Sequence, residues 1–491
     1  MSAPTQAAPY AHPDRLFIGG EWRKGSSADM FDVFDSATEE RFVSVAGARV
    51  ADVDLAVAAA REAFDHGPWP RMSPAERAVY LRKIAQGVRE RAADIARTWT
   101  LESGLVHGAS VFLTDTLAVA WDYYADLADT FPFIERHEAS GGGVGLLVRE
   151  PVGVVGAIVP WNGPQNLVTY KIAPALLAGC TTIVKASPEA PSTAYIFAEI
   201  CEQAGLPPGV FNVLTADREV SERLVRHPGV DKISFTGSTA AGRRIASICG
   251  ERIARCTLEL GGKSAAVILD DYDVDSAADI LVPAASLLTG QVCSSLTRVI
   301  VSRRRHDALV EALSGRFAQM KVGDPFDASV AMGPLASEQQ RARVEGYIAK
   351  GKAEATLATG GARPSHLNRG FFVEPTVFCN VDNHATIAQE EIFGPVLSVI
   401  PADSEEQAFE IANDTIYGLN NSVFTNDLER AYAAARRLRS GTVGHNSFRT
   451  DFTISFGGFK QSGIGREGGV EGLHPFLEAK TVILDGMPAK L

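Results

Sequence analysis

Cysteine is scarce in this chain. Its 491 residues hold six, Cys180, Cys201, Cys249, Cys256, Cys293 and Cys379. None forms a C-x-x-C pair, and six thiols in so long a chain do not make a disulfide scaffold. They read as free thiols in a reducing compartment. No H-E-x-x-H run and no cluster of His and Cys suggests a metal. Positive charge is also short. The net charge of −12 disfavours nucleic acid or an anionic membrane surface as partner, since each needs a basic face. Long apolar runs are missing: 153–159 is far too short to span a bilayer. No charged stretch followed by an apolar one opens the chain, and the Ala/Pro-rich residues 1–14 are expected to fray. These absences together imply a cytoplasmic protein. No repeat of solenoid length is present.

What is there suits large cores. Hydrophobic residues make up 46 % and charged ones 22 %, ordinary for a soluble globular protein, and the length suggests about three compact units. Apolar residues recur at helical spacing over 52–64 and 74–100. Ser73 followed by Pro74 and Glu76 is a helix start. Another helix is expected over 111–127, and the four glycines of 139–145 mark a loop or hairpin arm. After Pro151 short apolar runs at 152–159, 181–185, 210–214, 232–235 and 256–260 read as strands. The stretches 170–178, 193–204, 221–226 and 239–249 read as helices. This alternation predicts βαβ units and a parallel sheet with helices on both faces, which binds ligands at the carboxyl ends of its strands. A second α/β cycle follows over 264–443, clearest in strands at 299–302, 396–400 and 421–424. The tail closes with a strand-like run at 481–484.

Two runs carry the chemistry. Thr289-Gly290-Gln291-Val292-Cys293-Ser294-Ser295 offers a thiol among small residues. A lone cysteine is most often a buried core residue, but a core strand would surround it with Val or Leu. Leu258-Glu259-Leu260-Gly261-Gly262-Lys263 offers a carboxylate between leucines, 34 positions before the cysteine. By itself Glu259 reads as an exposed charge at a strand end. A nucleophile in one flexible segment and a base in another suit covalent catalysis followed by hydrolysis.

With these motifs in this order, the chain resembles the aldehyde dehydrogenase superfamily from about residue 16 to about residue 481. The resemblance implies an α/β protein: a Rossmann-type NAD(P)-binding domain over 1–260, a catalytic domain over 261–445, and an oligomerisation arm from 123–143 with the C-terminal segment 446–491. It implies a homodimer or homotetramer. It makes Cys293 the nucleophile and Glu259 the base that activates the deacylating water; apolar flanks would raise the carboxyl pKa and suit it to that role. Asn162, with the Cys293 N–H, becomes an oxyanion hole. Lys171 and Glu467 match a proton-relay pair. For NAD, with NADP possible, it implies contacts from Val159, Pro160, Trp161, Lys185, Ser187, Glu189, Gly237, Ser238, Leu260, Gly261, Glu391 and Phe393. Phe235-Thr236-Gly237-Ser238 ends a strand and opens a helix, where N–H groups and the dipole can hold a pyrophosphate. The small-molecule aldehyde would lie against Gly163, Leu167, Tyr170, Val292, Ser294, Phe448, Phe452 and Ile454.

The chain also departs from the family pattern. Pro188 stands where an acid that rejects a 2′-phosphate is usual, with Glu189 one position later. Gly163 stands where a bulky aromatic is common, so a large apolar aldehyde is expected: aromatic, terpenoid or medium-chain. No Arg or Lys occurs among the helix-side pocket positions, although Arg449 sits in the opposite wall. Gly463-Ile464-Gly465-Arg466-Glu467-Gly468 fits G-x-G-x-x-G but follows no strand. Gly262-Lys263-Ser264 lacks the upstream glycine of a P-loop. Arg303-Arg304-Arg305 reads as a solvated strand end. Two other functions fit such a fold: a CoA-acylating semialdehyde dehydrogenase, which does not need Glu259, and an inactive binding protein, which would not need Cys293, Glu259, Asn162, Lys185 and Glu391 together.

Overall fold

The computed structural model describes residues 8–488. The alternation after Pro151 forms the expected sheet. Its strands Val154–Ile158, Thr181–Ala186, Phe211–Thr215, Lys232–Thr236 and Arg255–Glu259 pair in parallel. Nearly every residue of these strands is buried, as a sheet covered on both faces requires. Leu16–Ile18 and Glu21–Arg23 extend one edge antiparallel, and Gly463–Ile464 closes the other.

Strand order places the site. Val154–Ile158 has Thr181–Ala186 on one side and Lys232–Thr236 on the other. The chain therefore winds away from it in both directions, and a crevice opens beyond its carboxyl end. Val159-Pro160-Trp161-Asn162 is the segment that leaves that end.

The second sheet holds Ser264–Ile268, Leu296–Ser302, Val396–Ala402, Thr376–Cys379, Asn420–Phe424 and Thr442–His445 in parallel, with Thr356–Thr359 antiparallel at an edge. Only Leu260-Gly261-Gly262-Lys263 separates the last long strand of the first sheet from the first strand of the second. A small antiparallel sheet pairs Ile134–Glu138 with Val144–Pro151 and the latter with Leu477–Leu484. The segment 123–143 thus divides between the helix Leu117–Thr130 and this sheet.

Several local expectations are corrected. The helical pattern of 74–100 is two helices, Pro74–Glu90 and Ala92–Ser103. They break at Arg91, whose guanidinium is held by Asp94 at 2.7 Å and Glu199 at 2.8 Å. The start is as read: Ser73 accepts from the Glu76 N–H, and Glu76 accepts from the Ser73 N–H. The 111–127 helix is likewise two, His107–Asp115 and Leu117–Thr130. The helix read from 170 begins at Pro164, where proline lacks only an N–H that the first turn leaves free. The hairpin Met30–Phe34 with Arg41–Ala46 was not legible. The N-terminal segment is docked from Tyr10 on. Tyr10 is buried, stacks on Tyr195 with centroids 5.2 Å apart, and shares a 3.0 Å hydrogen bond with Ser192. The part of the fraying expectation that concerns 1–7 lies outside the described residues.

Among the described residues no helix is long and apolar enough to cross a membrane, and no group of His, Cys, Asp and Glu is placed to hold a metal ion.

Tyr10→Ala removes a buried ring and its hydrogen bond, so it should destabilise the fold by about 3 kcal/mol and lower the thermal midpoint by a few degrees in calorimetry. An unchanged midpoint would restore the frayed N-terminus.

Candidate active site

A cavity of about 450 Å³ opens at the crevice between the two sheets. It gathers Cys293, Glu259, Asn162, Pro160, Trp161, Gly237, Ser238, Leu260, Gly261, Glu391 and Phe393. Gly163, Leu167, Val292, Ser294, Phe448 and Phe452 line it as well.

Cys293 leaves an irregular segment. Leu288 and Thr289 have φ of 49° and 55°, a left-handed conformation that non-glycine residues hold only when their surroundings fix it. The surroundings do. The Thr289 hydroxyl reaches the Gly333 and Pro334 carbonyls, each at 3.0 Å. The fully buried Gln291 side chain accepts from the Ala336 N–H at 2.9 Å and donates to the Leu288 carbonyl at 2.9 Å. Asn162 Nδ2 donates to the Gln291 carbonyl at 3.0 Å. One amide hydrogen of Asn162 is thereby held, which orients the group and leaves its second hydrogen for the cavity. The Asn162 segment is itself propped, since Trp99 Nε1 donates to the Asn162 carbonyl at 2.8 Å and the Ser103 hydroxyl to the Trp161 carbonyl at 2.7 Å.

The Gly261-Gly262 turn passes close to both Cys293 and Glu391. A methyl group on Gly262 would lie 2.3 Å from the Cys293 carbonyl oxygen, and one on Gly261 would lie 2.7 Å from Glu391 Oε2. The Gly262 N–H donates to Glu391 Oε1 at 3.1 Å.

Burial governs the electrostatics. It pushes the Cys293 thiol up to about 12, with help from the Glu391 and Glu259 carboxylates. Glu259 is 2 % exposed and neither oxygen has a hydrogen-bond partner. Burial first, then the Glu467 charge, raise its carboxyl well above the usual range, against Lys171 and Arg466. A desolvated carboxyl of this kind is a stronger base than one in water.

Lys171 and Glu467 do not line the cavity. They form a buried ion pair behind Glu259, and Lys171 also donates to Thr236 Oγ1 at 2.7 Å. Val159, Lys185, Ser187 and Glu189 lie outside it too. Lys185, one residue before the end of its strand, is nearly buried, and burial lowers it to about 8 while Glu189 and Asp217 oppose the shift. Ser187 donates to Glu189, which with Pro188 lines a neighbouring cavity.

Two pocket expectations are corrected. Tyr170 does not face the cavity. It is buried and stacks at 3.9 Å on Phe452, so it backs the wall that Phe452 forms. Ile454 is 69 % exposed, because the chain turns outward after Phe452. Arg449 is exposed too and donates to Ser447 Oγ at 2.6 Å, outside the cavity wall. Sequence reasoning missed Trp99 and Leu113 from distant helices, Leu105 from the link between them, Leu287 and Leu288 before the cysteine, and Gln340 and Arg343. No local signal marks them, since apolar residues on helices read as core. Gln340 Nε2 donates to the Phe393 carbonyl at 2.7 Å and Arg343 to the Glu391 carbonyl at 2.5 Å.

The surroundings fit a dinucleotide. Ser238 caps the 14-residue helix Thr239–Arg252, whose first turn opens at the cavity and can hold a phosphate. Gly242 lets that helix approach the cavity floor, since a methyl there would lie 2.4 Å from Leu260 Cδ2.

Fold and cavity therefore define a nicotinamide-dependent dehydrogenase with a thiol at its centre. The aldehyde dehydrogenase family model matches residues 22–482, and the chain belongs to that family. Its relatives include the geranial dehydrogenase of Castellaniella defragrans, 44 % identical over 96 % of this chain and 98 % of that one. Betaine aldehyde dehydrogenase 1 of Oryza sativa is 40 % identical over 97 % and 96 %. The Mycobacterium tuberculosis aldehyde dehydrogenase complexed with NAD+ superposes with a TM-score of 0.94 at 45 % identity, covering 98 % of this chain and 99 % of that one. Pseudomonas syringae aldehyde dehydrogenase C, as a cysteine-to-alanine mutant with NAD+ and octanal, also gives 0.94, at 38 % identity over 99 % and 100 %. The chain is an NAD-dependent aldehyde dehydrogenase.

Gly262→Ala must displace the Cys293 carbonyl. Misplacing a reacting group by about 1 Å can reduce turnover on the order of 100-fold, and that loss is expected in steady-state NADH formation by the folded variant. Undiminished turnover would show that the close approach does not set the thiol.

Proposed function

We propose that this enzyme oxidises large apolar aldehydes to carboxylic acids by covalent capture on Cys293 and hydrolysis through Glu259. The observation that carries the reading is a single apolar-walled cavity holding the thiol, the unpartnered Glu259 carboxyl and the Asn162 amide.

The Cys293 thiol first gives its proton to solvent water, and the thiolate sulfur then attacks the aldehyde carbonyl. Asn162 Nδ2 and the Cys293 N–H donate to the developing alkoxide; each such donor is worth roughly 100- to 1000-fold in rate. When bound, the nicotinamide supplies the hydride acceptor. Lys185, Ser238, Glu391 and Phe393 are the residues assigned to hold the cofactor. Glu259 then takes a proton from the water that attacks the thioester on Cys293; the carbon–sulfur bond breaks, the acid leaves with the water's other proton, and Cys293 departs as the thiolate that meets the next aldehyde. Lys171 and Glu467, paired behind it, carry that proton away. NAD is preferred; Pro188 offers no carboxylate to repel a 2′-phosphate, so measurable NADP use is expected.

The substrate class follows from the walls. Trp99, Leu105, Leu113, Leu167, Phe448, Phe452 and Phe456 face the cavity, and Arg449 does not. A methyl group on Gly163 would meet nothing within 4 Å, so this position leaves space beside the thiol. The small sheet of Ile134–Glu138, Val144–Pro151 and Leu477–Leu484 is our candidate for the subunit contact, since Ile483 on it is 68 % exposed. The six free thiols support a cytoplasmic location.

Two experiments test the reading. In Glu259→Gln, rapid mixing should give one stoichiometric burst of NADH and then very slow turnover. In the wild type, lowering the pH through the raised Glu259 pKa protonates the base, so steady turnover should fall while the burst persists. Slow turnover with no burst would give Glu259 an earlier role.

Each buried CH₂ contributes about 0.8 kcal/mol, so kcat/KM should climb along the straight-chain series from acetaldehyde towards octanal. Gly163→Phe should blunt the climb by filling the space. Succinic semialdehyde or acetaldehyde as much the best substrate would overturn the apolar-tunnel reading.

A further inference from the structure

The helix Ala92–Ser103 ends at the site, and its last turn is tied to both halves of the chemistry. Trp99 and Ser103 stand at i and i+4 on it and so share a face. Trp99 Nε1 donates to the Asn162 carbonyl at 2.8 Å, and the Ser103 hydroxyl donates to the Trp161 carbonyl at 2.7 Å. On the other side the Ser103 carbonyl accepts from Gln291 Nε2 at 3.3 Å, in the segment that carries the thiol.

Trp99 meets both the machinery and the cavity. It is 3 % exposed and packs with Leu105 and Leu288 in a small cluster separate from the main cores, against which Leu113, Leu287 and Val292 also lie. Leu288 carries the left-handed kink, and Val292 directly precedes Cys293. The same indole lines the cavity. A buried indole N–H does not find a carbonyl automatically: that of Trp69, which is fully buried, has no partner. The Trp99 N–H goes to the residue whose side-chain amide is assigned to the developing alkoxide.

We propose that Trp99 is a specificity-determining residue for the aldehyde: its ring receives the aldehyde chain while its N–H holds the Asn162 peptide, so a chain packed on the ring also steadies the oxyanion donor. This rests on the apolar-walled pocket and on the Asn162 assignment made above. Binding energy from the unreactive part of the substrate is then used at the reacting carbon. A longer chain therefore raises the rate of acylation as well as lowering KM, whereas a wall that merely bound the chain would lower KM alone.

Pre-steady-state NADH bursts at saturating NAD, with propanal, pentanal and octanal over a range of concentrations, test this. The three carbonyls are chemically alike, so a difference in burst rate at saturating aldehyde reports the chain. In the wild type that rate should rise about fivefold from propanal to octanal, roughly the worth of one hydrogen bond. Trp99→Phe keeps an aromatic wall and removes the N–H. Its burst rate should no longer depend on chain length, while KM still falls along the series. Site-specific replacement of Trp99 by benzothienylalanine, which keeps the bicyclic shape and lacks only the N–H, should do the same, and it carries the test if the phenylalanine variant does not fold. A burst rate that still rises with length in these variants makes Trp99 a wall residue alone and overturns the proposal. Added to Asn162→Ala, Trp99→Phe should cost no further burst rate, because no amide is left to position; additive losses would place its effect elsewhere and overturn the proposal too. The readings beneath it fail differently: a wild-type KM independent of chain length removes the apolar pocket, and an undiminished burst rate in Asn162→Ala alone removes the oxyanion assignment, each taking the proposal with it.

Discussion

Four residues hold the two sheets to one another at the site. Leu260-Gly261-Gly262-Lys263 must run from Arg255–Glu259 to Ser264–Ile268 through the gap between the Cys293 carbonyl and the Glu391 carboxylate. The gap has no room for a side chain at either glycine. The link is tied from below as well: the Leu260 N–H donates to the Ser462 carbonyl at 2.9 Å, and the Ser462 hydroxyl to the Gly261 carbonyl at 2.7 Å. The proposed base, nucleophile and the Glu391 cofactor contact thus take their relative positions from one short stretch of backbone. A shift in any of the three would pass to the others, which is what preorganised catalysis requires.

The same packing sets the charge states. The thiol, Glu259 and Glu391 are all pushed toward their neutral forms, and in each case burial is the leading cause. A low local dielectric disfavours isolated charge but strengthens every hydrogen bond to charge that develops there. The site rests nearly neutral and is arranged for anions that form during reaction, on the sulfur, on the carbonyl oxygen and on the released acid. Lys171, paired with Glu467 at the back, brings positive charge to this region without exposing it to the cavity.

Much of this was legible in the sequence. Alternating apolar runs gave the first sheet nearly strand for strand, because a fully buried parallel strand needs an unbroken apolar run. The Cys293 segment stood out because its small neighbours make poor core, whereas Glu259, between two leucines, stood out only through its match to the family motif. The substrate wall was less legible. Phe452 does line the cavity, but Tyr170, expected there as well, turns its ring aside to stack on Phe452. Ile454 is apolar yet exposed because the local turn, and not hydrophobicity, sets its direction. Trp99 and Leu113 reach the cavity from helices far away in sequence, and only tertiary packing reveals such residues. The Arg91 break was hidden because the helical pattern continues through it, while the cause lies in an ion pair to Glu199.

The central claim is that catalysis passes through an acyl group on Cys293. The direct measurement is peptide-mapping mass spectrometry on wild-type enzyme quenched in acid during steady turnover of octanal with NAD. The account predicts an octanoyl group on the peptide that carries Cys293 and on no other cysteine peptide. Steady NADH formation with no acylated Cys293, or with the acyl group on another cysteine, would contradict it.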